Sequence, residues 1–143
     1  MLTTHLDAVT ILAEDVDRAT AFYADLLGFT VVPQFTTPEG DFVWLRSHKR
    51  STSIIIQDLA TRADKPTQAD IPVASGGLML GFTVEDADAA YKTAQEGGYE
   101  IRTPVVDMGS GRTFGVRDPE GNYLQLFDVY PPVHDLQRRL GLD

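Results

Sequence analysis

The chain contains no cysteine. Disulfides, thiolate metal sites and cysteine nucleophiles are excluded together, and the cytoplasm is the expected location. Positive charge is scarce: 12 Lys and Arg stand against 21 Asp and Glu, for a formal net charge of −9. Such a surface repels nucleic-acid phosphates, so no nucleic-acid partner is expected, whereas a cationic ligand is attracted. Plain solubility is the simpler use of the same charge. No apolar run nears the roughly 20 residues that span a bilayer, so no membrane partner is expected. The first residues lack a basic stretch leading into an apolar one, and no signal peptide is expected. Histidine is limited to His5, His48 and His134. None is spaced with another His, Asp or Glu like a helix-borne metal pair; His5 and His48 read as solvent-facing, and His134 lies in the C-terminal tail. No Gly-x-Ser-x-Gly elbow and no phosphate-binding glycine loop occurs.

What the chain does contain is a regular succession of short elements. Residues 6–13 are apolar-rich and read as a strand. Asp15 reads as a helix N-cap, with Asp17 in the first turn where the helix dipole favours negative charge. Val16, Ala19, Phe22, Tyr23 and Leu26 recur at helical spacing, and Gly28 ends the helix. Strands are expected over 29–36, bent or placed at an edge by Pro33, over 42–47 and over 52–57. Residues 61–75 are polar, with Pro66 and Pro72 and no periodicity, and read as a linker. A strand over 77–84, a helix capped by Asp86 and stopped by Gly97-Gly98, and a strand over 99–103 follow. Gly109-Ser110-Gly111 reads as a flexible connection. A hairpin then pairs 113–117 with 123–128 across the turn Asp118-Pro119-Glu120-Gly121, where Pro119 presets φ and Gly121 takes the left-handed conformation. Pro131-Pro132 opens a C-terminal helix, with Leu136 and Leu140 one turn apart, expected to cover a sheet edge or to pack on a partner subunit.

The two halves repeat each other. Ile11-Leu12-Ala13-Glu14-Asp15-Val16-Asp17 matches Phe82-Thr83-Val84-Glu85-Asp86-Ala87-Asp88. Past the helices the spacing shortens by one residue: Gly28-Phe29 matches Gly98-Tyr99, and Ile56 and Asp58 match Leu126 and Asp128. Each half reads β-α-β-β-β.

Two such modules carry Asp15-Val16-Asp17-Arg18-Ala19-Thr20-Ala21-Phe22-Tyr23 with Leu27-Gly28-Phe29, and Arg117-Asp118-Pro119-Glu120-Gly121-Asn122. In that order, the chain resembles the vicinal oxygen chelate superfamily of glyoxalases, bleomycin resistance proteins and extradiol dioxygenases. The resemblance implies an α+β fold: two tandem βαβββ modules forming a cup-shaped, barrel-like sheet, plus a short C-terminal helix. Module one covers 4–60, the linker 61–75, module two 76–130 and the C-terminal helix 131–143. It also implies a homodimer, and the linker is long enough for modules to be exchanged between chains. In the metalloenzymes of the family, four strand positions aim a His, Glu or Gln into the cup. Carried over one at a time, those positions fall on Ala8, Ile55, Met79 and Gln125. Alanine and isoleucine cannot ligate, and a thioether is a poor ligand for hard or borderline divalent metals. No metal and no other cofactor is expected.

Side chains on a strand alternate between its faces. If the four positions face the cup, so do Thr10, Leu12, Gln57, Gly81, Thr83, Tyr123 and Phe127. Trp44 shares a face with Phe42 and Arg46, either packed on a helix or lining the cup. Arg46 would then bind an anionic group at the rim or remain solvated, and Arg112 and Arg117 read as solvated or ion-paired. The candidate ligand-binding set is Ala8, Thr10, Trp44, Ile55, Gln57, Met79, Thr83, Tyr123, Gln125 and Phe127. No catalytic acid or base can be assigned. Mostly apolar walls with a few hydrogen-bonding groups suit a small organic ligand. The expected function is metal-free sequestration of an aromatic or cationic compound, as in antibiotic resistance. The alternatives are a lyase, isomerase or dioxygenase-type enzyme of the same fold, and a structural or regulatory module whose cup is filled by its own side chains.

Overall fold

The computed structural model describes residues 1, 3, 6, 8–47, 52–66, 69 and 79–141. His5, the expected turn over 48–51 and most of the linker lie outside them. The chain divides into two units, Met1–Ser75 and Gly76–Asp143.

In the first unit, strand β1 (Ala8–Ala13) leads into helix α1 (Val16–Asp25). The Asp15 carboxylate accepts from the Arg18 backbone N–H at 3.0 Å, satisfying one of the donors a helix start leaves open. Ala19, Phe22 and Tyr23 form the buried face of α1. Gly28, at φ 72°, ends it. The strand expected over 29–36 is cut to β2 (Thr30–Val31), because Pro33 has no N–H for a ladder and opens a 3-10 turn, Pro33–Phe35. Strands β3 (Phe42–Arg46) and β4 (Ser53–Asp58) complete a sheet of order β1-β4-β3-β2, with β1 parallel to β4 and the other pairs antiparallel.

Alternation splits this sheet cleanly. Ile11, Ala13, Val43, Leu45, Ile54 and Ile56 are buried on the face where α1 packs against β3 and β4. Tyr23 meets Phe22 and Phe29 edge-to-face, with ring centroids 5.1 and 6.3 Å apart. Burying each large aliphatic side chain here contributes about 1.5–3 kcal/mol.

The second unit repeats the plan. Strand β5 (Met79–Thr83) leads into α2 (Ala87–Glu96), capped by Asp86 through the Ala89 N–H at 3.0 Å. The strand expected over 99–103 shrinks to β6 (Glu100–Ile101), and an unexpected short strand, β7 (Val106–Asp107), pairs with the start of β8 (Arg112–Arg117). Strand β9 (Tyr123–Phe127) closes a sheet of order β5-β9-β8-β6. Leu124, Leu126, Phe114 and Val116 are buried against α2, where Tyr91 and Phe114 meet edge-to-face at 5.3 Å. The Asp128 carboxylate ties helix to sheet by accepting from the Ala87 N–H at 2.8 Å and the Arg112 N–H at 2.9 Å.

The internal repeat survives as strand register. Ala8, Thr10 and Leu12 stand opposite Ser53, Ile55 and Gln57. Met79, Gly81 and Thr83 stand opposite Tyr123, Gln125 and Phe127 in the same way. The architecture is α+β with two separate sheets, so the barrel-like sheet is not a closed barrel.

The hairpin turn is held by Asp118, only 2% exposed. Its carboxylate accepts from the backbone N–H groups of Glu120 and Asn122 and from the Asn122 amide at 2.8–3.0 Å, and Gly121 adopts φ 86°. Gly111 is not part of a flexible connection. It is buried, and a β-carbon there would collide with the Asp128 backbone carbonyl. Helix α3 (Pro131–Arg139) starts at the expected proline pair. Leu136 in the helix and Leu140 at its C-cap are exposed, so these two side chains do not cover a sheet edge. Among the described residues, no helix is long and apolar enough to cross a membrane.

Candidate functional site

Each sheet has one face on its helix and one face turned away from it, and the second faces carry the candidate residues. In the first unit the ladder aligns Thr10, Ile55 and Trp44 in one row and Leu12, Gln57 and Phe42 in the next, with Ala8 at the edge beside Ser53. Trp44 therefore lies opposite to the helix-facing Val43 and Leu45, on the face turned away from α1. Phe35 reaches it from the 3-10 turn, ring centroids 5.5 Å apart. Ile55 and Gln57 are buried, whereas Ala8, Thr10, Leu12, Phe42 and Trp44 are half-buried. Arg46, next on the face, is exposed.

In the second unit the matching rows are Met79, Tyr123 and Arg117; Gly81, Gln125 and Gly115; and Thr83, Phe127 and Thr113. The middle row has glycine on both sides of Gln125. Two aromatics occupy the space so released: a β-carbon on Gly115 would collide with the Tyr123 hydroxyl, and one on Gly81 would come 3.3 Å from the Phe127 ring. Met79 is 54% exposed, and the Gln125 amide approaches the Met108 sulfur at 3.9 Å. Met108 and β7 are a contribution to this face that the sequence pattern did not reveal; the β-branched pair Val105-Val106 was its one signal.

A sheet face that points away from its helix is normally polar. These two carry Leu12, Phe42, Trp44 and Ile55, and Met79, Tyr123 and Phe127, with the amides of Gln57 and Gln125 among them. Arg112 lies on the other face and forms a bidentate ion pair with Asp88, 2.8 and 3.0 Å.

A second polar group was also invisible in sequence. Asp41, in the turn before β3, accepts from the Thr37 hydroxyl at 2.7 Å and the Thr61 hydroxyl at 2.8 Å and pairs with Lys65 at 3.2 Å. The Thr37 hydrogen bond is the main cause that holds its carboxyl below the ordinary range, against burial and with help from Thr61 and Lys65. Thr61 and Lys65 belong to the stretch read as a linker. Between them lies a 3-10 turn, Arg62–Asp64, so the start of that stretch is fastened to the turn before β3.

The positions that the resemblance marks for metal ligands are Ala8 on β1, Ile55 on β4, Met79 on β5 and Gln125 on β9. Two of them have no donor atom, one offers a thioether and one an amide. This donor set does not fit a hard or borderline divalent cation, which needs several oxygen or nitrogen donors. Among the described residues, no three His, Asp or Glu side chains gather where they could hold a metal ion.

The family model for the Glyoxalase/Bleomycin resistance protein/Dioxygenase superfamily matches residues 5–126. Protein YwkD of Bacillus subtilis (strain 168) is 28% identical over 129 residues, 90% of this chain and 99% of its own. Lactoylglutathione lyase from Agrobacterium tumefaciens has a TM-score of 0.67 at 20% identity, covering 88% of this chain and 94% of that one. TnmS3, an antibiotic binding protein from Streptomyces sp. CB03234, has a TM-score of 0.69 at 23% identity, covering 91% and 99%. At these identities the two solved structures speak to fold alone. With the repeated module, its register and the family match over most of its length, the chain belongs to the Glyoxalase/Bleomycin resistance protein/Dioxygenase superfamily.

Proposed function

We propose that this protein binds a small aromatic or cationic organic compound without a metal, sequestering it as an antibiotic-binding protein does. One observation carries the reading. The sheet faces turned away from the helices keep apolar and aromatic side chains with isolated amides, while the positions that would bind a metal in the family hold Ala8, Ile55, Met79 and Gln125. Mainly apolar walls with a few polar groups are the usual make-up of a small-molecule site. The net charge of −9 favours a cationic compound. Fold does not decide between a lyase and a binder, since both occur on it, so the choice rests on the side chains. Ala8, Thr10, Trp44, Ile55, Gln57, Met79, Thr83, Tyr123, Gln125 and Phe127 are the proposed ligand contacts.

The test is a thermal-shift panel of planar aromatic antibiotics and cationic drugs, run with and without chelator. A compound that prefers the folded state raises the melting temperature. Stabilisation that survives chelator supports the proposal. Tight stoichiometric binding of Mn²⁺, Ni²⁺ or Zn²⁺ with loss of the effect in chelator overturns its metal-free part, and a panel without any stabilising compound overturns the binding reading.

A further inference from the structure

Gln57 is a wholly buried side chain on the face of the first sheet turned away from α1. Its amide nitrogen donates to the Asp58 carbonyl at 2.8 Å and to Thr61 Oγ1 at 3.4 Å. Neighbouring groups fix which end of the amide points there. The Thr61 hydroxyl has one proton, and it donates that proton to Asp41 Oδ2. The carboxylate has none to return. Thr61 Oγ1 is left as an acceptor toward Gln57, and the Asp58 carbonyl only accepts. Both contacts therefore demand the nitrogen of the amide. Asp41 also accepts from the Thr37 hydroxyl and pairs with Lys65, so the donors converge on its carboxylate and Gln57 begins the branch that runs through Thr61.

This leaves Gln57 Oε1 buried, with no hydrogen-bond partner among the described residues. Leaving a buried acceptor without a donor is costly, so in native structures such a group is met by a water, an ion or a ligand, or serves a function. Its neighbours across the ladder, Leu12 and Phe42, have no side-chain donor to offer. The missing partner is a donor, and the flanking surface is apolar and aromatic.

We propose that Gln57 Oε1 accepts a hydrogen bond from an N–H or O–H group on the ring system of the bound ligand, a specificity-determining contact that rests on the binding function proposed above. The ligand class is an aromatic compound bearing a ring N–H, an aryl amine, a lactam or a phenol. Its alkylated counterparts fit the same apolar surface but leave the oxygen unpaired, which is how a site built around a hydrogen bond discriminates.

Two matched pairs test this on the full chain: indole against 1-methylindole, and phenol against anisole, with Kd measured by NMR titration. The donor-bearing member of each pair is expected to bind about tenfold tighter, the value of one net hydrogen bond. In Gln57→Leu the preference is expected to fall below about twofold as that bond is lost. Gln57→Met, an unbranched side chain without the oxygen, gives the same readout if the leucine variant does not fold. Equal binding of both members to the wild-type chain overturns the inference and leaves the binding function standing, as does a preference that persists in a folded Gln57 variant. The thermal-shift panel decides the binding function independently, and a chain that binds none of the four compounds refutes the assignment of Gln57.

Discussion

Trp44 stands directly across from Ile55 in the antiparallel pair of β3 and β4, on the face that α1 leaves free. It is the sole tryptophan of the chain. Ligand binding to this face is therefore expected to shift or quench the intrinsic tryptophan fluorescence. Trp44→Ala is expected to weaken binding by roughly 10- to 30-fold, as aromatic anchors of binding sites do, and Trp44→Phe by less. Isothermal titration of both variants checks this, and unchanged affinity in Trp44→Ala would place the ligand elsewhere.

Asp41 gives a pH dependence whose sign follows from its partners. The Thr37 hydrogen bond, then those of Thr61 and Lys65, lower its pKa from 3.8 despite burial. A folded-state pKa below the unfolded value adds stability above the unfolded pKa, and that stability is lost as pH falls through the folded value. Urea midpoints of the wild-type chain are expected to drop on acidification below about pH 4 from this source. Asp41→Asn is expected to be less stable at pH 7 and to show a flatter acid limb. A variant with the wild-type acid limb would remove Asp41 from the account.

The three structural aspartates differ in what they hold. Asp15→Ala and Asp86→Ala each remove one helix cap and are expected to cost about 1 kcal/mol in urea unfolding. Asp118→Ala removes the buried acceptor of the Glu120 and Asn122 N–H groups in a part-buried turn and is expected to cost about 2–3 kcal/mol. The order of the three values is the check, since equal losses would mean that burial of Asp118 contributes nothing.

Two buried glycines of the second unit, Gly111 before β8 and Gly115 within it, separate a backbone clash from a side-chain clash. In Gly111→Ala the new methyl meets the Asp128 carbonyl, which cannot step aside, and a loss of about 3 kcal/mol is expected. In Gly115→Ala it meets only the end of the Tyr123 ring, and about 1 kcal/mol is expected. The second variant should instead change ligand affinity, because Tyr123 must leave its seat beside Gln125. Urea unfolding and ligand titration on the same pair of proteins test both statements.

Much of the fold was legible along the chain because its signals are local. Asp15 and Asp86 announce helices by the chemistry of one carboxylate and one N–H three residues away, and Gly28, Gly98 and Gly121 announce stops by a backbone angle. The repeat matched equivalent positions of the two modules, and those positions pair in the same strand register. Strand length was less legible. Pro33 ended β2 early, and β7 formed from two residues because β8 had a free edge to pair with.

The candidate site divides along the same line. Alternation on a strand is a local rule, so the amino-acid sequence by itself determined that Ala8 shares a face with Thr10, Ile55 with Gln57, and Gln125 with Tyr123 and Phe127. It also determined which side chains stand at the metal-ligand positions of the family, and therefore what they lack. Only the tertiary structure decided that Trp44 faces away from α1, that Tyr123 lies over Gly115, and that Thr61 and Asp41 meet beside Gln57. Those contacts join different elements of the chain, with Thr61 and Asp41 20 positions apart. Hydrogen-bond direction is settled by such neighbours rather than by the residue itself, and that is why the free oxygen of Gln57 could not be read from its letter.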